Sequence, residues 1–314
     1  MDQLVVVAVA GFCASLVDGA LGMGFGPTSS SILLSTGMTP TSVSMTVNLA
    51  KVATGIAAAV SHWRFRNIDH RLVLQLALWG CVGAIAGVTV LSNVDGAALK
   101  PVLAALLVLI GLRILIRFRR PVAVNAAEFE DLDHDPDRMP PFDQRGLRAV
   151  AASGGVTNGL IGAWGPVVTP FLMHRELPPR FAVGSVNTAE VAVATVSASS
   201  LIAALGSGGL KGSIVVAMLA GGIVAAPVAA WGVRHIPARP MGVAVAALLL
   251  LTNSRELAAW AGLGASRWLL YGAIAVLVTM AGLGPRLRTA APIAGDGGRT
   301  AFRRRIAEST LGEP

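Results

Sequence analysis

Long apolar stretches with almost no charged residue recur along the chain and are separated by short polar segments. Five of them cover residues 72–92, 101–118, 191–205, 213–233 and 267–284. Each approaches the roughly 20 apolar residues that an α-helix needs to cross about 30 Å of hydrocarbon. The stretches are rich in Ala, Leu and Gly and lack the period-2 alternation of a membrane β-strand. The pattern therefore predicts an all-α membrane protein.

Composition supports this class and excludes several functions. Of the 314 residues, 54% are hydrophobic and 13% are charged, whereas soluble domains carry about 25% charge. The net charge of +8 comes from arginines in loops and in the tail, where the positive-inside rule accounts for them, so we predict no nucleic-acid partner. No catalytic triad, phosphate loop or metal-ligand cluster is apparent, which predicts no cofactor, no metal and no enzymatic activity.

Two halves of the chain repeat one pattern. A shift of 139 residues aligns Gly24 to Val52 with Ala163 to Val191 without a gap. The identical pairs include Gly26 with Gly165, Pro27 with Pro166, Pro40 with Pro179 and Asn48 with Asn187. Each half consists of a broken apolar segment, 3–35 or 147–173, followed by three helices. We expect these helices near 42–61, 72–92 and 101–118, near 182–205, 212–233 and 240–253, and an extra last helix near 266–284.

The repeat divides the chain into five segments. They are a first transmembrane repeat (1–118), an acidic cytoplasmic linker (119–146), a second transmembrane repeat (147–253), an extra C-terminal transmembrane helix (254–285) and a basic cytoplasmic tail (286–314). The linker is placed in solvent because acidic residues and prolines are concentrated in it.

Equivalent loops of the two halves differ in basic residues. The loop 35–42 of the first half has no Lys or Arg, whereas its counterpart 174–181 has two. The next loop, 62–71, has three, and its counterpart 206–212 has one. The third loop, 92–100, has one, and its counterpart 231–239 has two. Because basic loops favour the cytoplasmic side, corresponding loops are predicted to face opposite sides of the membrane. The halves are then an inverted-topology repeat, which many secondary transporters use to bind substrate near the membrane midplane.

The two broken segments form the predicted substrate site. Gly and Pro interrupt helices, and the freed backbone inside a membrane must line a cavity. A helix that starts near Pro27 or Pro166 directs its positive dipole end and unpaired N–H groups inward, which suits an anion. Small residues also allow close helix packing, but a Gly-Pro pair at equivalent places in both halves favours a site. Its predicted substrate-binding residues are Gly24, Gly26, Pro27, Thr28, Ser29, Gly162, Gly165, Pro166 and Thr169.

Polar residues in the predicted helices complete this site. Asn48 and Asn187 are equivalent, and Lys51 and Glu190 are equivalent one turn later. An ionised side chain within a membrane is costly unless it is paired or hydrated. We expect Lys51 to bind the anion beside the two asparagines and Glu190 to carry a coupling proton, while a structural ion pair between Lys51 and Glu190 explains the charges equally well. Asp18 is either a second proton site or a hydrogen-bonded cap.

The chain resembles the TauE/SafE family of sulfite exporters in several short motifs, some in the first half and some in the second. They are DGALGMGFGP (18–27), Pro40 with TVN (46–48), HWRFRNID (62–69), GLIGAWGP (159–166), LPP (177–179) and SVN (185–187). The resemblance covers roughly residues 5–285. It implies a multi-pass inner-membrane permease for sulfite, sulfonates or related sulfur-containing or organic anions.

The predicted function is therefore secondary transport of a small anion by alternating access around a midplane site between the repeats. The alternatives are a passive anion channel, and a membrane subunit or enzyme of sulfur metabolism that uses a reactive cysteine, Cys13 or Cys81. The expected partners are the anion, the lipid bilayer and a coupling proton, and a homo-oligomer is compatible with the sequence.

Overall fold

The computed structural model describes residues 2–21, 24–119, 142–206, 212–235 and 238–283, which form eleven α-helices, one 3-10 turn and no strand. Most of the predicted linker 119–146 and all of the predicted tail 286–314 lie outside these residues. The helices are α1 (Asp2–Leu21), α2 (Phe25–Ser35), α3 (Pro40–Arg64), α4 (His70–Asn93), α5 (Gly96–Arg119), α6 (Leu147–Ile161), α7 (Gly165–His174), α8 (Pro179–Leu205), α9 (Gly212–His235), α10 (Ala238–Trp260) and α11 (Arg267–Leu283).

Six helices of the described residues are long and apolar enough to cross a membrane, namely α3, α4, α5, α8, α10 and α11. Their outward faces carry large apolar side chains such as Leu74, Leu78 and Leu109, all of them exposed. Such a surface is stable against lipid tails. These helices, with no strand among the described residues, confirm the predicted class of an all-α membrane protein.

Each Gly/Pro-rich segment is split into a long helix and a short one. In the first half α2 starts at Phe25, and in the second half α7 starts at Gly165. At the second break, Gly162 adopts a left-handed backbone with φ of 68°, a conformation that glycine reaches without the steric cost of a Cβ. Its N–H donates to the Asn158 carbonyl over 2.7 Å, which closes the C-terminal end of α6.

Helix α10 continues to Trp260, beyond the end that the apolar pattern predicts near residue 253. The pattern stops there because Asn253 and Ser254 are polar, but they are only 2% and 4% exposed. The Asn253 amide donates to the Leu249 carbonyl over 2.8 Å and to the Ser31 hydroxyl on α2. A polar side chain with partners inside the bundle does not interrupt a membrane helix.

Most of the helix packing is between the two halves. Helix α1 packs against α9, α4 against α6, α3 against α8, and α5 against α10. Glycines allow the closest approaches, since a Cβ would lie 1.9 Å from the Ala152 carbonyl oxygen at Gly83 and 1.9 Å from the Ala8 carbonyl oxygen at Gly221. Small residues permit this kind of contact between membrane helices. Neither half therefore forms a separate bundle.

Candidate functional site

The two helix breaks meet beside a small cavity. A Cβ at Gly26 would lie 1.7 Å from the carbonyl oxygen of Gly162, so the backbones of the two breaks are in direct contact. The cavity has a volume of about 10 Å³, close to the minimum that holds one water molecule. Both breaks and three charged side chains line it: Phe25, Gly26, Pro27, Gly162, Gly165, Pro166, Asp18, Lys51 and Glu190.

A second cavity, of about 50 Å³, shares part of this lining. The residues common to both cavities are Asp18, Phe25, Lys51 and Glu190. The remaining lining of the larger cavity comes from α3 and α8: Thr54, Gly55, Ala58 and Asn187. The charged residues therefore stand between the two cavities and face both.

The Lys51 ammonium makes three polar contacts. Its Nζ donates to the Gly162 carbonyl over 2.6 Å and to Asn158 Oδ1 over 3.3 Å, and it forms an ion pair with the Glu190 carboxylate. An ammonium has three N–H donors, so all of them are engaged. Any further ligand of the Lys51 ammonium would therefore have to replace one of these three partners.

Side chains of the first half bind the C-terminal carbonyls of α6. The last carbonyls of a helix lack a partner within it. The Ser30 hydroxyl donates to the Ile161 carbonyl over 2.7 Å, and the Ser44 hydroxyl donates to the Gly159 carbonyl over 2.6 Å. Lys51 binds the carbonyl after Ile161. A helix C-terminus carries partial negative charge that favours a cation, which explains why the ammonium lies there.

Asn48 lies behind the cavities, in a buried network of amides and hydroxyls. Its amide donates to the carbonyls of Ser44 and Asn158 over 2.9 and 3.2 Å, and its Oδ1 accepts from Asn158 Nδ2 over 2.7 Å. Asn158 also donates to the Ser197 hydroxyl over 3.0 Å. The network ties α3 to α6 and α8. Asn187, the repeat counterpart of Asn48, instead lines the larger cavity.

Three hydroxyl residues of the predicted site are fully buried and line neither cavity. The Ser29 hydroxyl donates to the carbonyls of Phe25 and Gly26 in its own helix. The hydroxyls of Thr28 and Thr169 have no partner among the described residues, although buried hydroxyls normally have one. In this conformation both threonine hydroxyls can therefore still form a hydrogen bond.

Asp18 caps the start of α2. Its Oδ1 accepts from the backbone N–H of Gly24 over 2.9 Å and of Phe25 over 3.2 Å. These N–H groups belong to the positive end of α2, which the sequence predicts to face the substrate. At the equivalent position of the second half, the Thr157 hydroxyl donates to the Ala163 carbonyl over 2.6 Å. The start of α7 therefore lacks the carboxylate that the start of α2 has.

Substitution of Asp18 tests this cap. Asp18→Ala leaves two N–H groups of α2 without their acceptor and is expected to lower the free energy of unfolding by about 1 kcal/mol. Asp18→Asn keeps an acceptor oxygen and should lose much less. Thermal unfolding of the two variants in detergent makes the comparison, and an equal loss in both would contradict the capping role.

Three residues of the buried network are absent from the sequence prediction, namely Asn158, Ser44 and Ser197. Asn158 aligns with Gly19 under the shift of 139 residues, so a search for identical pairs passes over it. The sequence does contain one signal for Asn158, because it is the only amide within the mostly apolar segment Val156 to Ile161. Polar residues inside a membrane normally face the protein interior, which makes Asn158 a candidate site residue.

Comparison with known proteins identifies the family of this chain. The family described as Sulfite exporter TauE/SafE matches residues 7–255. The chain belongs to the TauE/SafE family. A TauE/SafE relative, the probable membrane transporter protein YtnM of Bacillus subtilis (strain 168), is 38% identical over 294 residues, which are 91% of this chain and 95% of the relative.

A probable membrane transporter protein of Haemophilus influenzae is 30% identical over 115 residues, 37% of this chain and 45% of that protein. No solved structure matches. TauE/SafE membership and the printed names of both relatives point to a membrane transporter rather than an enzyme. The six apolar helices agree with a multi-pass membrane protein. Neither Cys13 nor Cys81 lines the two cavities.

Proposed function

We propose that this protein is a secondary transporter of a small anion, namely sulfite, a sulfonate or a related sulfur-containing or organic anion, and that it works by alternating access. The observation that carries the proposal is the meeting of two Gly-Pro breaks, one from each half, at a cavity beside a buried lysine. Broken helices at a midplane site are how many secondary transporters bind polar substrates.

The helix packing supports an inverted repeat. The shift of 139 residues converts α1 into α6 and α9 into α4, and α1 with α9 and α6 with α4 are both packed pairs. It also exchanges α3 with α8 and α5 with α10, again packed pairs. Lys51 and Glu190 are equivalent residues in direct contact, as residues on a twofold axis are. An axis within the membrane plane accounts for this pattern together with the opposite basic character of the loops.

Alternating access follows from the size of the site. A cavity of about 10 Å³ has room for one water molecule, whereas sulfite has four heavy atoms. The anion therefore enters only when the two breaks separate. Relative motion of the halves opens the site to one side of the membrane at a time, which is the transport cycle that inverted repeats support.

The charges around the cavity favour a coupling proton. With Asp18, Lys51 and Glu190 all ionised, the site carries one excess negative charge, and an incoming anion faces two carboxylates in a medium of low dielectric constant. Protonation of Glu190, which is packed against Lys51 and faces Asp18 across the shared cavities, neutralises one carboxylate. Lys51 then exchanges Glu190 for the substrate, so the anion and a proton move together.

The basic residues favour an orientation in the bacterial inner membrane. Arg175 and Arg180 follow α7, and Arg64, Arg66 and Arg71 lie around the connection between α3 and α4. If both loops lie on the cytoplasmic side, the helices that follow them bring the linker and the C-terminus to the same side. The protein is therefore expected to expose its longest polar segments to the cytoplasm.

Transport by purified protein tests the proposal. In proteoliposomes, uptake of sulfite is expected to saturate with concentration and to accelerate when the side that holds the anion is made more acidic. Initial rates for sulfite, a sulfonate, thiosulfate and a carboxylate, each measured with and without a protonophore, rank the substrates. Protein-free liposomes give the background permeability.

The same rates separate the two transport mechanisms. Protein-dependent flux that rises linearly with concentration and ignores the proton gradient would indicate a passive channel. No protein-dependent flux for any anion of the panel would contradict the proposed substrate class.

A further inference from the structure

The Lys51 ammonium is enclosed by oxygen atoms. Its three contacts are the Gly162 carbonyl at 2.6 Å, the Asn158 amide oxygen at 3.3 Å and the Glu190 carboxylate. Lys51 is 6% exposed and Asn158 is fully buried. Carbonyl, amide and carboxylate oxygens are the ligands that hard cations take in proteins, and transporters hold sodium ions at unwound backbone and half-helix C-termini of this kind.

We propose that the Lys51 ammonium is a built-in cation that stands where a bound sodium ion would otherwise be needed. Two consequences follow. The natural protein needs no sodium, and removal of the Lys51 amine exposes a site for a monovalent cation. Only the statement that transport is independent of sodium rests on the proposed function. The exposed cation site depends on the geometry of the oxygen ligands alone.

Two of the three oxygen ligands, on Asn158 and Gly162, are held in place by contacts that do not involve Lys51. Asn158 is bonded to Asn48 and to Ser197, which fixes its side chain at the end of α6. The Gly162 N–H donates to the Asn158 carbonyl, which fixes the backbone of the break. These two oxygen atoms therefore stay in position when the amine is removed, and the Glu190 carboxylate adds a third, charged ligand. A preorganised set of ligands binds an ion without the cost of ordering them.

Charge favours a cation in the vacated space. Without Lys51, the Glu190 and Asp18 carboxylates face the same cavities, and no other basic residue occurs in the described lining of these cavities. An uncompensated buried carboxylate is strongly unfavourable, and the partial negative charge at the end of α6 adds to it. In the natural protein the ammonium fills this place and repels a second cation, so sodium has no site there.

Thermal unfolding of the full-length protein in detergent tests the inference. Lys51→Ala is compared in sodium chloride and in choline chloride at equal concentration, because choline is too large for the site. Sodium is expected to raise the melting temperature of Lys51→Ala by about 3 °C or more, as binding to the folded state alone does. The natural protein should shift by less than about 1 °C.

A double variant and a longer side chain complete the test. Lys51→Ala combined with Glu190→Ala keeps the space but loses the carboxylate, so it should not respond to sodium. Lys51→Gln keeps most of the side chain, one atom shorter than lysine and without the charge, and is expected to respond in the same direction, which covers a failure of Lys51→Ala to fold. Absence of a sodium response in both single variants, or a sodium response of the natural protein, would overturn the inference.

The outcome is independent of anion transport. A protein that moves no anion can still show the cation response, in which case only the proposed function fails. Sulfite flux by the natural protein in sodium-free medium completes the comparison, and equal flux in sodium and choline media is expected. Flux that stops without sodium would contradict the built-in cation while leaving anion transport intact.

Discussion

Lys51→Ala is expected to reduce anion flux at least about 100-fold, because it removes the positive charge at the proposed substrate site and leaves Glu190 without its Lys51 partner. Truncation of one partner of a buried charge pair at a binding site costs about 2–5 kcal/mol of binding free energy or more, and about 1.4 kcal/mol corresponds to a factor of ten. The measurement is the initial rate of anion uptake in sodium-free proteoliposomes, normalised to the amount of folded, inserted protein.

A second lysine variant, outside the cavities, controls for the removal of a positive charge elsewhere in the protein. Lys100 on α5 is exposed and lines neither cavity, so Lys100→Ala should retain full flux. Lys51→Arg keeps the charge but not the compact shape of the ammonium and is expected to be intermediate. Full transport by Lys51→Ala would remove Lys51 from the substrate site.

Gly26→Ala is expected to abolish transport and to lower the melting temperature. The added Cβ would lie 1.7 Å from the Gly162 carbonyl oxygen, a distance that forces two backbone segments apart. Insertion of one methyl group into a closely packed interior costs about 1–3 kcal/mol. The displaced carbonyl is also the one that Lys51 binds, so the damage reaches the charged centre. Uptake rates and unfolding curves on the same preparation measure both effects.

Gly272 provides the control for this substitution. It lies within α11, and a Cβ there would have no neighbour within 4 Å. Gly272→Ala is therefore expected to leave flux unchanged and to raise helix stability by up to about 1 kcal/mol. If Gly26→Ala behaved like Gly272→Ala, the contact between the two breaks would not be needed for the fold or for transport.

Much of the fold can be predicted from the sequence because each signal for it is local. Uncharged apolar runs of sufficient length indicate spanning helices wherever they occur. The breaks before α2 and α7 follow from Gly and Pro residues within a few positions of each other. The end of α10 could not be predicted in this way, because a polar Asn253 indicates the end of an apolar helix unless its partner Ser31 on α2 is known.

The candidate site is only partly predictable, because its contacts depend on helix packing between distant parts of the chain. Lys51 and Glu190 stand out as charges within apolar helices, and both line the cavities. The sequence predicts Thr28 and Ser29 as site residues from their position after the Gly-Pro break, and in the structure both are buried and line neither cavity. Asn158 aligns with a glycine, Gly19, in the first half, so comparison of the repeats gives no signal for it.

Asp18 shows why a cap is hard to recognise in advance. Its bonds to Gly24 and Phe25 join α1 to the next helix across the break. A capping residue normally lies directly before the helix that it caps, whereas Asp18 lies at the end of the preceding helix. Only the approach of Asp18 to Gly24 and Phe25 in the folded chain brings the carboxylate to the start of α2.

The contact between Lys51 and Glu190 has a consequence for how such a protein can be assembled. The two residues occupy the same position in the repeated pattern, yet they carry opposite charges and touch. Two copies of the first half, assembled as a homodimer about the axis proposed for the repeat, would bring two ammonium groups together, and two copies of the second half would bring two carboxylates together. Because both halves lie in one chain, this position carries a different residue in each, and each half supplies the counter-charge that the other lacks.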